Sequence, residues 1–121
     1  MKNCIVLFFV LSIVLAQKIF ASPPERFYQQ QWCNLKGGQV EFTLPDRTRV
    51  DCLTESHAVE VDFAHKWAEA IGQSLHYSSM TGKRAGILLV LSTRNDARLL
   101  KRMESVIQHF DLPIDVFTLR K

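Results

Sequence analysis

Two acidic side chains alternate with apolar ones in a short segment near the middle of this chain. Glu60 and Asp62 alternate with Val59, Val61 and Phe63. In a strand, this alternation sends both acids to one face and the apolar residues to the other. Two carboxylates on one face are costly unless they have a chemical role. Carboxylate oxygens are the ligands that hard cations such as Mg²⁺ prefer.

A lysine, an amide and a phenol follow these acids at helical spacing. At about 100° per residue, Gln73 lies about 700° and Tyr77 about 1100° past Lys66, within roughly 20° of one direction. Asp51 precedes the acidic segment on a neighbouring predicted strand. The spacing therefore predicts that Lys66, Gln73 and Tyr77 share a helix face and converge with Asp51 and Glu60.

The first 21 residues have the pattern of a signal peptide. Lys2 provides the positive start, residues 5–16 are almost all apolar, and small residues offer cleavage after Ala16 or Ala21, of which the second is preferred. The apolar run is shorter than the roughly 20 residues that a membrane-spanning helix needs. We therefore expect an exported protein, periplasmic or extracellular, with no stable membrane anchor after signal cleavage.

Residues 22–121 are long enough for one domain with a single core. The formal net charge of +3 includes Lys2 and Lys18, so the mature chain carries only +1. The net charge therefore does not justify a broad claim of nucleic-acid binding, and any basic surface must be local.

Two cysteines, Cys33 and Cys52, remain after the signal segment. A disulfide between them would close a loop of about 20 residues and contribute on the order of 3 kcal/mol in the chain-entropy account. The alternative is two separate buried thiols, since a free cysteine packs as a small hydrophobic residue. An oxidising destination favours the disulfide.

Hydrophobic periodicity and turn residues predict an α/β fold with the order α-β-β-β-α-β-α-β. The first helix is predicted to pack through Phe27, Gln31 and Trp32. A continuous apolar run at 86–91 predicts a strand covered on both faces, as parallel strands are. The fold class is thus a three-layer sandwich in which helices flank a mixed sheet. Its helices are predicted at 25–35, 64–80 and 96–110, and its strands at 40–44, 49–54, 58–63, 86–91 and 114–119.

With this order, the chain resembles the PD-(D/E)XK nuclease superfamily, which has the restriction-endonuclease-like fold. Asp51 on the second strand and residues 60–62 (Glu-Val-Asp) on the third occupy the places of the family's acid and acid-x-lysine pattern. Gln73 and Tyr77 resemble the Gln-x-x-x-Tyr helix motif of the RecB-like branch. The resemblance spans nearly the whole of residues 22–121.

The resemblance implies a Mg²⁺ or Mn²⁺ site held by Asp51 and Glu60, with the carbonyl of Val61 as a neutral ligand. The family usually has lysine where this chain has Asp62. Asp62 either joins the metal site as a third carboxylate or marks a fold retained without activity.

The resemblance also gives the helix residues roles. Lys66 takes the place of the displaced family lysine, which orients or activates water and stabilises charge developing on the phosphate. Its plainer interpretation is an exposed ion pair with Asp62, worth roughly 0–1 kcal/mol. Gln73 and Tyr77 are expected to bind the substrate strand by hydrogen bonding or stacking. His57, by contrast, is interpreted as an isolated surface or core histidine.

Three functional hypotheses follow. The first is an exported metal-dependent nuclease that hydrolyses phosphodiester bonds of nucleic acid. The second is a catalytically inactive nuclease-fold module that binds a protein or nucleic acid in the export compartment. The small size predicts that a homodimer completes either site. The third is a purely structural secreted domain, for which the polar convergence is not needed.

Overall fold

A computed structural model describes residues 21–121, in which five strands form one mixed sheet covered by three helices. The predicted signal segment lies outside the described residues, apart from Ala21. The strands are β1 (Gln39–Thr43), β2 (Arg49–Leu53), β3 (His57–Phe63), β4 (Arg84–Leu91) and β5 (Ile114–Arg120). The helices are α1 (Glu25–Leu35), α2 (Trp67–Thr81) and α3 (Asp96–His109), and a short 3-10 turn (Ala64–Lys66) precedes α2.

The strands lie in the sheet in chain order, from β1 to β5. β1, β2 and β3 form an antiparallel meander, whereas β4 is parallel to β3 and β5 is parallel to β4. Each parallel step is made through a helix, α2 and then α3, because parallel neighbours need a crossover connection. The predicted α/β class and element order are confirmed.

Alternate residues of β4 show how the helices cover the sheet. Ile87 and Leu89 pack in a core with residues of α2 and α3, including Met103. Leu88 and Val90 point the other way, into a core with residues of α1. The helices therefore lie on both faces, and β4 is apolar throughout because both of its faces are buried.

Cys33 of α1 and Cys52 of β2 form the predicted disulfide, with both side chains fully buried. The bond ties the helix to the sheet on the α1 face. Such a crosslink forms and persists in an oxidising compartment, which is consistent with the expected export. Within residues 21–121, no helix combines the length and apolar character needed to cross a bilayer.

Gly38 is required by the close approach of the disulfide. A Cβ atom at this position would lie 2.7 Å from Sγ of Cys52 and 2.8 Å from Sγ of Cys33. We expect Gly38→Ala to lower the free energy of unfolding by about 1–3 kcal/mol, as overpacked core positions do. The matched control is Gly72→Ala in α2, where a Cβ meets nothing within 4 Å.

The free energy of unfolding of Gly72→Ala should rise by up to about 1 kcal/mol, because alanine has a higher helix propensity than glycine. Urea unfolding of both variants measures the difference. A Gly38→Ala protein as stable as Gly72→Ala would contradict this assignment of the steric constraint.

Candidate active site

β2 and β3 separate beside Asp51 and leave a gap in the sheet. This gap, with Asp51 on β2 and Glu60 on β3, is the notch. The two strands pair only at Cys52 with Val59 and at Leu53 with Ala58. Beyond these pairs, Oδ2 of Asp51 accepts a hydrogen bond from the backbone N–H of Val61 at 2.8 Å. A side-chain carboxylate thus satisfies a strand donor, and the acid is fixed between the two strands.

A buried amide from α1 holds the backbone on the other side of Asp51. Gln29 is 3% exposed, and its Nε2 donates to the backbone carbonyl of Asp51 at 2.9 Å and to Oε1 of Glu41 at 3.0 Å. Glu41 lies in β1 between two residues paired with β2 and has a left-handed φ of 57°. Such a conformation costs on the order of 1 kcal/mol or more, and it persists where surrounding contacts fix it.

Glu60 projects into the notch from β3 and is 5% exposed. The predicted alternation is confirmed, because Val59 and Val61 point to the opposite face and pack in the α1 core. The carboxyl groups of Asp51 and Glu60 are hydrogen-bonded to each other. The two acids that the resemblance assigned to a metal therefore do meet.

Burial and mutual repulsion keep this acid pair partly protonated. Burial, followed by the charges of Asp51 and Asp62, raises the pKa of Glu60 to about 10. Burial likewise raises the pKa of Asp51 to about 6 against the lowering effect of the Val61 N–H. Two carboxylates in a site of low polarity cannot both ionise easily, so Glu60 holds a proton at neutral pH.

Asp62 lies on the same strand face but has its own partner. It is 4% exposed, and its carboxyl is hydrogen-bonded to that of Glu25 at the start of α1. Burial, then Glu25, raises the pKa of Asp62 to about 7, while the positive charge of Lys66 opposes the shift.

Gln73 and Tyr77 of α2 meet Glu60 at the notch. The phenol of Tyr77 and the side-chain amide of Gln73 are 3.1 Å apart. With the amide nitrogen facing the acid, Gln73 donates to Oε1 of Glu60 at 2.9 Å. Burial and the neighbouring Glu60 raise the pKa of Tyr77, so its hydroxyl remains a hydrogen-bond donor. The predicted convergence of these two residues with Glu60 is present.

Lys66 lies at the edge of this group rather than inside it. It ends the 3-10 turn and is the N-cap residue of α2, so regular helical spacing does not set its direction. Its ammonium forms none of the ion pairs found within residues 21–121, but its charge is close enough to influence Asp62.

The oxygen donors of the notch fit a hard cation held by few protein ligands. Across residues 21–121, no group of three or more His, Cys, Asp or Glu residues is arranged to hold a metal ion. Mg²⁺ is commonly bound by one or two carboxylates, with water or substrate oxygens completing the site. Asp51 and Glu60 supply that number. Asp62, paired with Glu25, and the carbonyl of Val61 stay predictions as further ligands.

Three residues at the notch escaped the sequence analysis: Glu25, Gln29 and Glu41. Gln29 had a usable signal, because it lies four residues before Cys33 and therefore on the helix face that the disulfide turns toward the sheet. Glu41 and Glu25 had none, since their proximity depends on long-range packing.

The chain matches no protein-family model, no curated protein and no solved structure. The resemblance to nucleases therefore rests on the order of the elements and on the residues of the notch.

Proposed function

We propose that the protein is an exported metal-dependent nuclease with a restriction-endonuclease-like fold. The observation that carries the proposal is the meeting of Asp51 and Glu60, from two separating strands, beside Gln73 and Tyr77. None of the ion pairs within the described residues involves Asp51, Glu60 or Asp62. Buried acids without a cationic partner are costly in a structural role, and binding of a cation offsets that cost.

Each residue of the notch has a separate role in phosphodiester hydrolysis. Asp51 and Glu60 would hold Mg²⁺ or Mn²⁺, which supplies Lewis-acid stabilisation of phosphate charge and acidifies bound water. Glu60 must release its proton before it can serve as a ligand, so cation affinity increases with pH. Gln73 is exposed and has an amide to offer to a substrate phosphate or base.

Lys66 is the remaining cationic group of the proposal. It is exposed and its charge influences Asp62, and we propose that it acts at the substrate phosphate, where an ammonium group stabilises developing charge. A long flexible side chain can reach this position from the turn before α2.

A catalytically inactive module that binds a protein or nucleic acid is the second candidate. The observation that favours it is Asp62, which replaces the lysine of the family pattern and is hydrogen-bonded to Glu25. Such a module would retain the notch as a binding surface, and a homodimer would enlarge it.

Calorimetry with Mn²⁺ and cleavage of labelled nucleic acid test the proposal together. We compare the wild type with Asp51→Asn/Glu60→Gln, because both replacements keep hydrogen-bonding groups and preserve the fold. Single- and double-stranded DNA and RNA are each supplied with Mg²⁺ or Mn²⁺. Glu104→Ala, which removes an exposed acid on α3, is the control.

Cation binding and cleavage in the wild type and control, with both lost in the double variant, are the expected results. Binding without cleavage would favour the inactive module. Equal signals in all three proteins would remove Asp51 and Glu60 from the site.

A further inference from the structure

A cleft of about 310 Å³ lies at the beginning of β3, away from the notch. Its apolar wall consists of Trp32 and Phe117, whose ring centroids are 5.3 Å apart. Ser56 and His57 line the polar side. His57 is two residues before Val59 and shares the α1 face of β3 with Val59 and Val61, so the cleft and the Glu60 notch use opposite faces of the sheet.

Ser56, His57 and Asp115 form a hydrogen-bonded chain at this cleft. Oγ of Ser56 is 2.7 Å from Nδ1 of His57, and Nε2 of His57 is 2.7 Å from Oδ2 of Asp115. A carboxylate can only accept, so Nε2 carries the proton and donates to Asp115. Nδ1 is then the acceptor for the hydroxyl proton of Ser56.

Arg84 holds the third member of this chain in place. Its Nε donates to Oδ2 of Asp115 at 2.7 Å, and its Nη2 donates to Oδ1 at 2.9 Å. The Arg84 and His57 hydrogen bonds hold the pKa of Asp115 well below its usual range, so the carboxylate stays ionised. The imidazole of His57 is therefore oriented by a fixed negative charge.

The parallel register of the sheet brings these residues together. His57 pairs with Arg84, and Asp115 pairs with Gly86 on β4. A Cβ on Gly86 would lie 3.0 Å from Cγ2 of Val59 and 3.3 Å from the ring of Phe117. The absence of a side chain at Gly86 thus leaves room for the Phe117 ring, which meets that of His57 edge to face at 5.5 Å.

We propose that Ser56 is an activated nucleophile and that the cleft is an esterase site for small apolar carboxylic esters. The nucleophile, the base and the group that orients the base are in hydrogen-bond reach of one another, as nucleophilic catalysis requires. Ser56 is exposed, so an ester can reach its Oγ. Trp32 and Phe117 form a surface for the acyl group.

The reaction proceeds in two balanced steps. Oγ of Ser56 bonds to the carbonyl carbon and gives its proton to Nδ1 of His57; the carbon–alkoxy bond breaks, and the alcohol leaves with that proton. Water then attacks the acyl-serine, with His57 accepting a water proton and returning it to Oγ. This second step releases a carboxylic acid and restores the hydroxyl of Ser56. The ammonium of Lys36, which lines the same cleft, favours the negative charge on the carbonyl oxygen.

Labelling with a fluorophosphonate probe tests the nucleophile directly. Peptide mass spectrometry should place the adduct on Ser56 of the intact mature protein, in the presence of a metal chelator. Ser56→Ala should abolish labelling. The control is Ser79→Ala, which removes an exposed hydroxyl that donates to the carbonyl of His76. It should label like the wild type.

His57→Gln separates an activated serine from one that is merely exposed. Loss of the general base should slow labelling by roughly 100-fold. The rates of p-nitrophenyl butyrate hydrolysis should rank the wild type and the variants in the same order as their labelling rates. If acyl-serine accumulates, a burst of p-nitrophenol equal to the enzyme concentration should precede the steady state. An unlabelled wild type, or labelling that survives Ser56→Ala, would overturn the proposal. So would equal labelling rates in His57→Gln and wild type, provided that circular dichroism shows the variant folded.

Discussion

Replacement of Glu60 by glutamine is expected to stabilise the metal-free protein while it abolishes cleavage. Glutamine has nearly the same shape as a protonated glutamic acid, and it can keep the hydrogen bonds to Asp51 and Gln73. It carries no charge, so the penalty for ionising a buried carboxyl disappears. The side chain would then be unable to act as an anionic ligand of a cation.

The stability gain should depend on pH. The pKa of Glu60 is about 10 in the folded protein against an ordinary value of 4.5, so the folded state binds more protons than the unfolded state between these limits. Stability of the wild type therefore falls as the pH rises above about 4.5 and through the alkaline range. At pH 8, which is 3.5 units above the ordinary pKa, Glu60→Gln should be more stable than the wild type by on the order of 5 kcal/mol, and at pH 4 the two should be nearly equal.

Urea unfolding in a chelator at pH 4, 6 and 8 measures this difference, and Glu104→Gln on the exposed face of α3 serves as the control. Addition of Mn²⁺ at 100 times its dissociation constant should then stabilise the wild type by about 2.7 kcal/mol and leave Glu60→Gln unchanged. A variant less stable than the wild type at pH 8 would show that ionised Glu60 stabilises the fold, and the proposed cation site would lose its main support.

A stabilising replacement at Glu60 would also explain why the notch is built as it is. Residues selected for packing alone seldom leave an acid pair buried without a cation, whereas binding sites commonly reduce stability. Gln29 and the left-handed Glu41 hold Asp51 against this repulsion. The strained residue of β1 and the buried acid pair of β2 and β3 thus lie at the same place in the meander.

Local patterns were sufficient to predict the elements and the faces of their residues. Alternation in β3 placed Glu60 opposite Val59 and Val61, and the apolar run of β4 indicated a strand buried on both sides. The disulfide was one of two alternatives, and the structure contains it. In each case, the information lies within a few residues of sequence or in the count of cysteines.

The buried face of α1 is set by long-range packing, which local sequence patterns do not show. In α1, Phe27 is 43% exposed and Gln31 is exposed, so the predicted packed face was wrong for both. The helix instead buries Tyr28, Gln29 and Cys33, because the bond to Cys52 fixes its rotation.

Helix starts were also placed by chemistry that spacing does not show. The carboxylate of Asp96 accepts hydrogen bonds from the N–H groups of Ser92 and Thr93, so it fixes the loop before α3. The chain turns after Phe63 through a 3-10 segment, which shifts the start of α2 to Trp67.

The partner of His57 illustrates the same limit more sharply. From the sequence alone, His57 is interpreted as isolated, since no nearby residue has metal-binding spacing. Asp115 is 58 positions away and reaches it only through the parallel register of β3, β4 and β5. The alternation of residues along β3 places His57 on one face of the sheet. It contains no information about which residue of another strand lies next to it.

Replacement of Lys66 by alanine is expected to reduce metal-dependent cleavage by roughly 100-fold or more and to leave Mn²⁺ affinity nearly unchanged. Lys66 influences Asp62 by its charge, and we propose that it acts on the phosphate rather than on Asp51 and Glu60, the two ligands of the cation. Lys66 forms no side-chain cap on α2, so its loss should cost little stability. Single-turnover cleavage rates and Mn²⁺ calorimetry separate the two effects, with Lys101→Ala on the exposed side of α3 as the charge-matched control.

The outcome also shows whether Asp62 belongs to an active site or marks a fold retained without activity. Suppose that cleavage falls strongly in Lys66→Ala and only slightly in Lys101→Ala. The catalytic ammonium would then come from the turn before α2, and not from the strand position that Asp62 occupies. Asp62 would then act by holding that ammonium near the phosphate. Unchanged cleavage in Lys66→Ala would exclude the lysine from the mechanism. In a protein that binds Mn²⁺ but cleaves neither DNA nor RNA, Asp62 in the lysine position would instead account for the lost activity, because no ammonium would stand beside the phosphate.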